Sequence, residues 1–168
     1  SPKMIVFNSS ILVPNKPTGI AAFDIKLTAE KMLETSCLPV VYLRPRIYID
    51  NIAAPWSVSA ITEHGVFPYP IAEDNAVSWV SLFDMARFTA AAFKNEDLIG
   101  QKIELGNEPI KGAEISNFLS KELGKKINYI PVNPDDFENQ LAPIFGELSA
   151  KSVADIYRYL NENVSEFQ

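Results

Sequence analysis

Apolar positions along the 168-residue chain fall into short unbroken runs and stripes with a helical period, and the two alternate. Strands alternating with helices follow from that pattern. "KMIVFN" (Lys3 to Asn8) is bounded by polar residues and reads as a strand buried on both faces of a parallel sheet. From Gly19 to Thr35 the apolar residues Ile20, Phe23, Leu27 and Leu33 form one stripe, with Lys26 and Glu30 a turn apart beside it. "LPVVYLRP" (Leu38 to Pro45) is a second buried strand, stopped at Pro45 because proline cannot donate to the ladder. Strand, helix and parallel strand in that order form a right-handed βαβ unit.

The pattern continues less regularly. Asn51 to Glu63 predicts a helix with Pro55 near its first turn, ended by His64 and Gly65. Val66 to Ile71 is interrupted by prolines and reads as an edge strand or a loop. Ala76 to Ser81 predicts one short strand, Leu82 to Lys94 an alanine-rich helix, and Gln101 to Asn107 another strand. Ala113 to Gly124 reads as a helix with a glycine stop and Lys125 to Val132 as a strand. At "NPDDF" a helix starts, with Asn133 as cap, Pro134 in the first turn, and Asp135 and Asp136 facing the positive helix end. A final helix covers about Ala150 to Asn161.

Composition narrows the function classes. With 47% hydrophobic and 21% charged residues the chain has an ordinary globular make-up. A net charge of −6, without a run of Lys or Arg, argues against direct binding of nucleic acid, where clustered cations must neutralise phosphates. No apolar stretch approaches the roughly 18 to 20 residues of a membrane span, and no signal peptide is evident, so a cytoplasmic protein without a membrane association is expected. The single cysteine, Cys37, and single histidine, His64, exclude metal-ligand spacing; Cys37 reads as a small core residue and His64 as a helix-end residue.

At "FNSS", "AAFDIKLTAEKMLE", "VVYLRP" followed by "YIDN", "WVSLFDMA", "KIELGNEPIKGAEIS" and "LGKKINYIPV" the chain resembles the carboxyl-terminal portion of an NmrA-like protein, an atypical branch of the short-chain dehydrogenase/reductase superfamily. The resemblance implies an α/β fold: the C-terminal part of a doubly wound NAD(P)-binding Rossmann sheet plus a smaller α/β substrate domain. Residues 1–50 and about 76–107 would belong to the Rossmann part, and about 51–75 with 108–168 to the substrate part. The seven glycines are scattered, and none sits in the strand-to-helix phosphate loop of such proteins. The chain therefore reads as a fragment that binds no NADPH and is inactive by itself, with roughly 110 to 130 residues expected before Ser1.

The resemblance also implies a cofactor, NADP or NAD, and roles for named residues. In related dehydrogenases a tyrosine one helical turn before the lysine handles the proton; here that position is Ala22, which has none to give. No catalytic residue can therefore be assigned. Lys26 would clamp the nicotinamide ribose, or else be a solvated charge on an amphipathic helix. Strand ends carry ligands in open α/β sheets, which brings in Asn8, Ser9 and Ser10 after one strand and Pro45, Arg46 and Tyr48 after the next. The serines would approach the nicotinamide, or simply bond local backbone. Backbone groups from Pro45 to Tyr48 would hold the carboxamide, while Arg44 anchors structure. Asn51 contacts substrate or caps a helix. Tyr48, Trp56, Phe67, Tyr69 and Trp79 would rim the substrate cleft, although at least half of them are expected in the core. Asp84 reads as a structural carboxylate at a helix start.

An oxidoreductase passing hydride to a small apolar or aromatic acceptor such as a quinone fits these residues. A non-catalytic regulator that senses NADP(H) and acts through a protein partner fits Ala22. Partners on either reading are a small molecule and a second protein or a homodimer mate.

Overall fold

The structure is a computed structural model and describes residues 2–9 and 12–168. In chain order its elements are β1 (Ile5–Asn8), α1 (Ala21–Thr35), β2 (Val40–Pro45), β3 (Ile47–Tyr48), α2 (Pro55–His64), β4 (Val66–Tyr69), β5 (Ala76–Val77), β6 (Trp79–Val80) and α3 (Leu82–Ala92), then β7 (Lys102–Leu105), β8 (Ile110–Lys111), α4 (Gly112–Leu123), β9 (Asn128–Pro131), α5 (Pro134–Phe145) and α6 (Glu147–Glu162). They divide into two compact units, residues 1–49 with 78–107 and residues 50–77 with 108–168.

The first unit is built on a parallel three-stranded sheet in the order β1-β2-β7. β1 pairs β2 from Ile5 against Val40 to Asn8 against Leu43, so the helix between them is the crossover of a βαβ unit. The helix begins where it does because the Asp24 carboxylate accepts from the backbone N–H of Thr18 and Gly19, at 2.7 and 2.9 Å. Those bonds, that from the Thr18 amide first, hold the Asp24 carboxyl below its usual range. The apolar stripe turns Phe23 and Leu27 inward. Val41, Leu43, Val80, Met85, Ala92 and Leu105 form the core on the sheet.

In this sheet β1 pairs with β2, with Ile5, Val6 and Phe7 half-buried and Asn8 exposed. The Ala76 to Ser81 stretch is two strands: β6 pairs parallel with β3 in the first unit, and β5 pairs antiparallel with β8 in the second. The break falls at Ser78, where the backbone passes from one unit to the other. α3 is capped by Ser81, whose hydroxyl accepts from the Asp84 amide at 2.9 Å and donates to the Asp84 carboxylate at 2.8 Å.

In the second unit β4 pairs in parallel only with β9, so Pro68 sits in a two-stranded sheet where its missing N–H is tolerated. The stretch from Asn51 is a 3-10 turn over Ile49–Ala53 followed by α2, with Pro55 in the first turn, where its missing N–H costs no helical bond. Gly65 closes α2 with φ 66, and an added Cβ there would stand 2.9 Å from the Lys126 carbonyl oxygen. Asn133 caps α5, accepting from the Asp135 amide at 2.8 Å. The final helix starts at Glu147, a turn earlier than the expected Ala150.

A tyrosine network fixes the interior of this unit. The Asn51 Nδ2 donates to the Tyr69 hydroxyl at 3.2 Å, and the Tyr69 and Tyr157 hydroxyls share a bond of 2.8 Å. Burial pushes the Tyr69 phenol up to about 12 and that of Tyr157 well above its usual value, so both stay neutral at ordinary pH. Replacing Tyr69 by Phe leaves the Asn51 amide and the Tyr157 hydroxyl short of a buried partner, and should cost about 1 to 3 kcal/mol in urea unfolding. A loss below about 0.5 kcal/mol would show that the network contributes nothing net.

Candidate functional site

The first unit brings its candidates to one edge. Because β1, β2 and β7 run in parallel, Asn8, Pro45 and Leu105 end on the same side, where open α/β sheets hold their ligands. The crossover helix α1 must run against the strands, so its amino-terminal turns lie toward that edge.

Glu30 sets the position of the helix. It takes the next place after Phe23 and Leu27 on the inward stripe and is 1% exposed. Its carboxylate accepts from the Ser9 hydroxyl at 2.7 Å, from Arg44 Nε at 3.1 Å and from Arg44 Nη2 at 2.6 Å. Lys102 Nζ stands 3.5 Å away and pairs more closely with Glu34, at 2.5 Å. Burial works to raise the Glu30 pKa, but the bonds from Arg44 and Ser9 outweigh it and hold the carboxyl below its ordinary 4.5. Arg44 is thus an anchor, as its strand-end place suggested. Ser9 is buried and bonds Glu30 instead of local backbone; Ser10 lies outside the described residues.

Lys26 is one turn before Glu30, which places it about 6 Å further toward the carboxyl edge. It is half-buried, and its ammonium makes no hydrogen bond or ion pair among the described residues. Ala22 follows another turn up. Across the same edge the Tyr48 hydroxyl, half-buried on β3, accepts from Asn8 Nδ2 at 3.2 Å. The Pro45 to Tyr48 backbone is less open than expected: the Arg46 amide donates to the Leu105 carbonyl and the Ile47 amide to the Ser78 carbonyl, at 2.8 and 3.3 Å. The Arg46 guanidinium is held by Glu104 at 2.5 Å.

The aromatic candidates separate. Trp79, 4% exposed, lines a cavity of about 450 Å³ in the first unit together with Ile49, Val80, Asp84, Phe88 and Asn107. Phe67 and Tyr69 are 0% and 2% exposed inside the second unit, so their rings are core and present no surface to a ligand. They sit there because alternate residues of β4 point inward. Trp56 is half-buried in α2 against the Phe145 ring, 5.7 Å away, and its Nε1 is buried without a partner among the described residues. Asn51 does not cap α2, whose cap is Ala54; its side chain serves Tyr69. Asp84 lies in the first turn of α3 as expected, and Cys37 is exposed, not packed. Among the described residues no three His, Cys, Asp or Glu side chains gather as a metal site, and no helix is long and apolar enough to cross a membrane.

Glu30 is the residue that periodicity passed over. Its signal was a carboxylate in register with Phe23 and Leu27, a place an amphipathic helix gives to an apolar side chain.

The model of the NmrA-like family matches residues 3–167. Prestalk A differentiation protein A of Dictyostelium discoideum is 28% identical over 113 residues, which are 67% of this chain and 37% of that protein. Among solved structures, the triphenylmethane reductase of a Citrobacter species complexed with NADP(H) superposes with a TM-score of 0.75 at 23% identity, covering 96% of this chain and 56% of that one. The NADPH-dependent quinone oxidoreductase of Escherichia coli complexed with NADPH superposes at 0.71 with 25% identity, covering 92% and 54%. The chain thus spans about half the length of these solved relatives.

Glu30→Ala should cost about 3 kcal/mol in urea unfolding at pH 7, because it leaves Arg44 without its buried partner. The sign with pH follows from the lowered folded pKa. Stabilisation by Glu30 is complete above its unfolded value near 4.5 and is lost as pH falls through the folded value. The gap between wild type and Glu30→Ala should be constant from pH 6 to 8 and close in acid; a gap that widened in acid would contradict the assignment.

Proposed function

This chain belongs to the NmrA-like family, and on that premise we propose that the whole protein is an NAD(P)-dependent oxidoreductase whose acceptor is a small apolar or aromatic molecule such as a quinone. The observation that carries this reading is Lys26, a half-buried residue at the carboxyl edge of a parallel sheet whose ammonium has no partner among the described residues. An unpaired ammonium can donate charge-assisted hydrogen bonds, and the hydroxyls of a nicotinamide ribose are acceptors of the right kind. Asn8, exposed at the end of β1, lies at the same edge and supports the same reading, whereas Ser9 is buried on Glu30 and serves the position of the helix. The solved relatives named as complexes with NADP(H) and NADPH lend it further support.

The cofactor, when bound, supplies the hydride. This chain's part is to hold it: Lys26 clamps the ribose, while Glu30, locked by Arg44 and Ser9, keeps Lys26 at its height on α1. Tyr48 offers a flat surface beside that place, suited to an aromatic acceptor. The first unit would be the dinucleotide-binding part and the second, with Trp56 half-buried on α2, the substrate-binding part. Ala22 favours a second reading, a regulator that binds NADP(H) without turnover and signals to a protein partner. Oxidation of NADPH by the intact protein across a panel of quinones decides between them, since the regulator shows none above background.

Lys26→Met in the intact protein should weaken NADPH binding about ten- to a hundredfold, read by NADPH fluorescence, the loss of one charge-assisted hydrogen bond of about 1.5 to 3 kcal/mol. Lys31→Met, an exposed lysine on the same helix, is the control and should bind as wild type does. Equal affinity in all three proteins would overturn the clamp.

A further inference from the structure

With Ala22 in place of the proton-handling tyrosine, an acceptor that gains a hydride at this edge still needs a proton when its product is a hydroquinone or an alcohol. Within the first unit the described protonated groups at the strand ends are almost all committed. The Ser9 hydroxyl gives its proton to Glu30, and Arg44 gives two N–H bonds to the same carboxylate. Arg46 is bound to Glu104. Cys37 precedes β2 and so lies at the opposite end of the sheet. Lys26 remains as the cationic clamp.

Tyr48 is different. Its oxygen accepts the bond from Asn8 Nδ2 at 3.2 Å, which leaves the phenolic O–H free to donate. The residue belongs to β3, beyond the end of β2, yet its hydroxyl reaches the last residue of β1, so the phenol lies across the carboxyl ends of these neighbouring strands. Its ring is packed against the buried cluster of Val41, Leu43 and Leu105, which fixes its direction. The Asn8 amide already points at the oxygen on which negative charge appears once the proton has left, a preorganised donor of the kind that stabilises a developing anion.

We propose that Tyr48 is the general acid of this site and Asn8 its positioning residue, together replacing the tyrosine that position 22 lacks. The proposal rests on the oxidoreductase reading above. The cofactor would supply the hydride, its C–H bond breaking as the hydride and its two electrons pass to the quinone, which leaves a hydroquinone monoanion in need of one proton. The Tyr48 O–H bond breaks, an O–H bond forms on the quinone oxygen, and the phenolate regains a proton from water. Asn8 Nδ2 holds the phenolate between these events.

Two hydride acceptors test this in the intact protein. A neutral naphthoquinone needs hydride and a proton, whereas a cationic triarylmethyl dye becomes a neutral product on hydride addition alone. Tyr48→Phe keeps the ring and removes the acid, so the ratio of quinone to dye turnover should fall about a hundredfold. The quinone-to-dye ratio should fall in Asn8→Ala as well, through kcat and not through the quinone KM, because the phenolate loses its donor. NADPH affinity of Tyr48→Phe, read by fluorescence, should stay within about threefold of wild type, showing that cofactor positioning is intact. A ratio within about threefold of wild type in Tyr48→Phe, or an Asn8→Ala loss that lies wholly in the quinone KM, overturns the proposal. Wild-type protein that binds NADPH but reduces neither acceptor overturns the oxidoreductase reading itself, and the role of Tyr48 with it.

Discussion

A buried carboxylate governs the first unit. Glu30 on α1 is gripped by Ser9 just after β1 and by Arg44 near the end of β2, with Lys102 of β7 close by. A leucine in its place would hold the helix to the sheet by area alone, which tolerates sliding and rotation. Hydrogen bonds with fixed directions tolerate neither, so the carboxylate sets both the height and the roll of α1. The desolvation of Glu30 is offset only because three protein donors meet it, two of them charge-assisted. Lys26 and Ala22 inherit their places from that lock, at one and two turns along the same helix.

The same edge shows how charge is distributed around a site. Arg44 and Arg46 each face a carboxylate, Glu30 and Glu104, so neither is free to meet an incoming anion. Lys26 is left without a partner among the described residues, and Tyr48 with a proton to give. A clamp and an acid need those states: the first an unfilled cation, the second an O–H not already donated. The commitments of the neighbouring groups are what make the uncommitted two informative.

The second unit is held together differently. Its interior is aromatic, with Tyr69 edge-on to Tyr157 at 5.6 Å and Phe137 edge-on to the same Tyr157 ring at 5.6 Å. Outside it, Arg158 of α6 bonds Asp135 and Glu138 of α5 and Asp155 of its own helix, fastening the two helices. Buried tyrosine hydroxyls must be paired with one another or with an amide, which explains why Asn51 is occupied with Tyr69 and not with the start of α2. The indole N–H of Trp56 and the hydroxyls of Ser57 and Ser116 are the buried side-chain groups of that unit without a partner among the described residues.

Periodicity alone determined the βαβ unit, the inward Phe23 and Leu27, the glycine ends of α2 and α4, and the Asn133 cap, because each depends on neighbours in sequence and on local backbone preference. The first helix and the strands before and after it also carried motifs of the family resemblance. Long-range contact decided the rest. That Ala76 to Ser81 splits between two sheets depends on partners more than 25 residues away, Ile47 and Lys111 among them. Phe67 and Tyr48 are both aromatic residues in apolar segments, and nothing local separates the one that is core from the one whose hydroxyl reaches Asn8. In the sequence Glu30 is a carboxylate beside an apolar stripe, and it is an anchor only because Arg44 and Ser9 reach it from two strands. Hydrogen-bond partners distant in sequence leave no period along the chain, so they appear only when the fold brings them within 3 Å of one another.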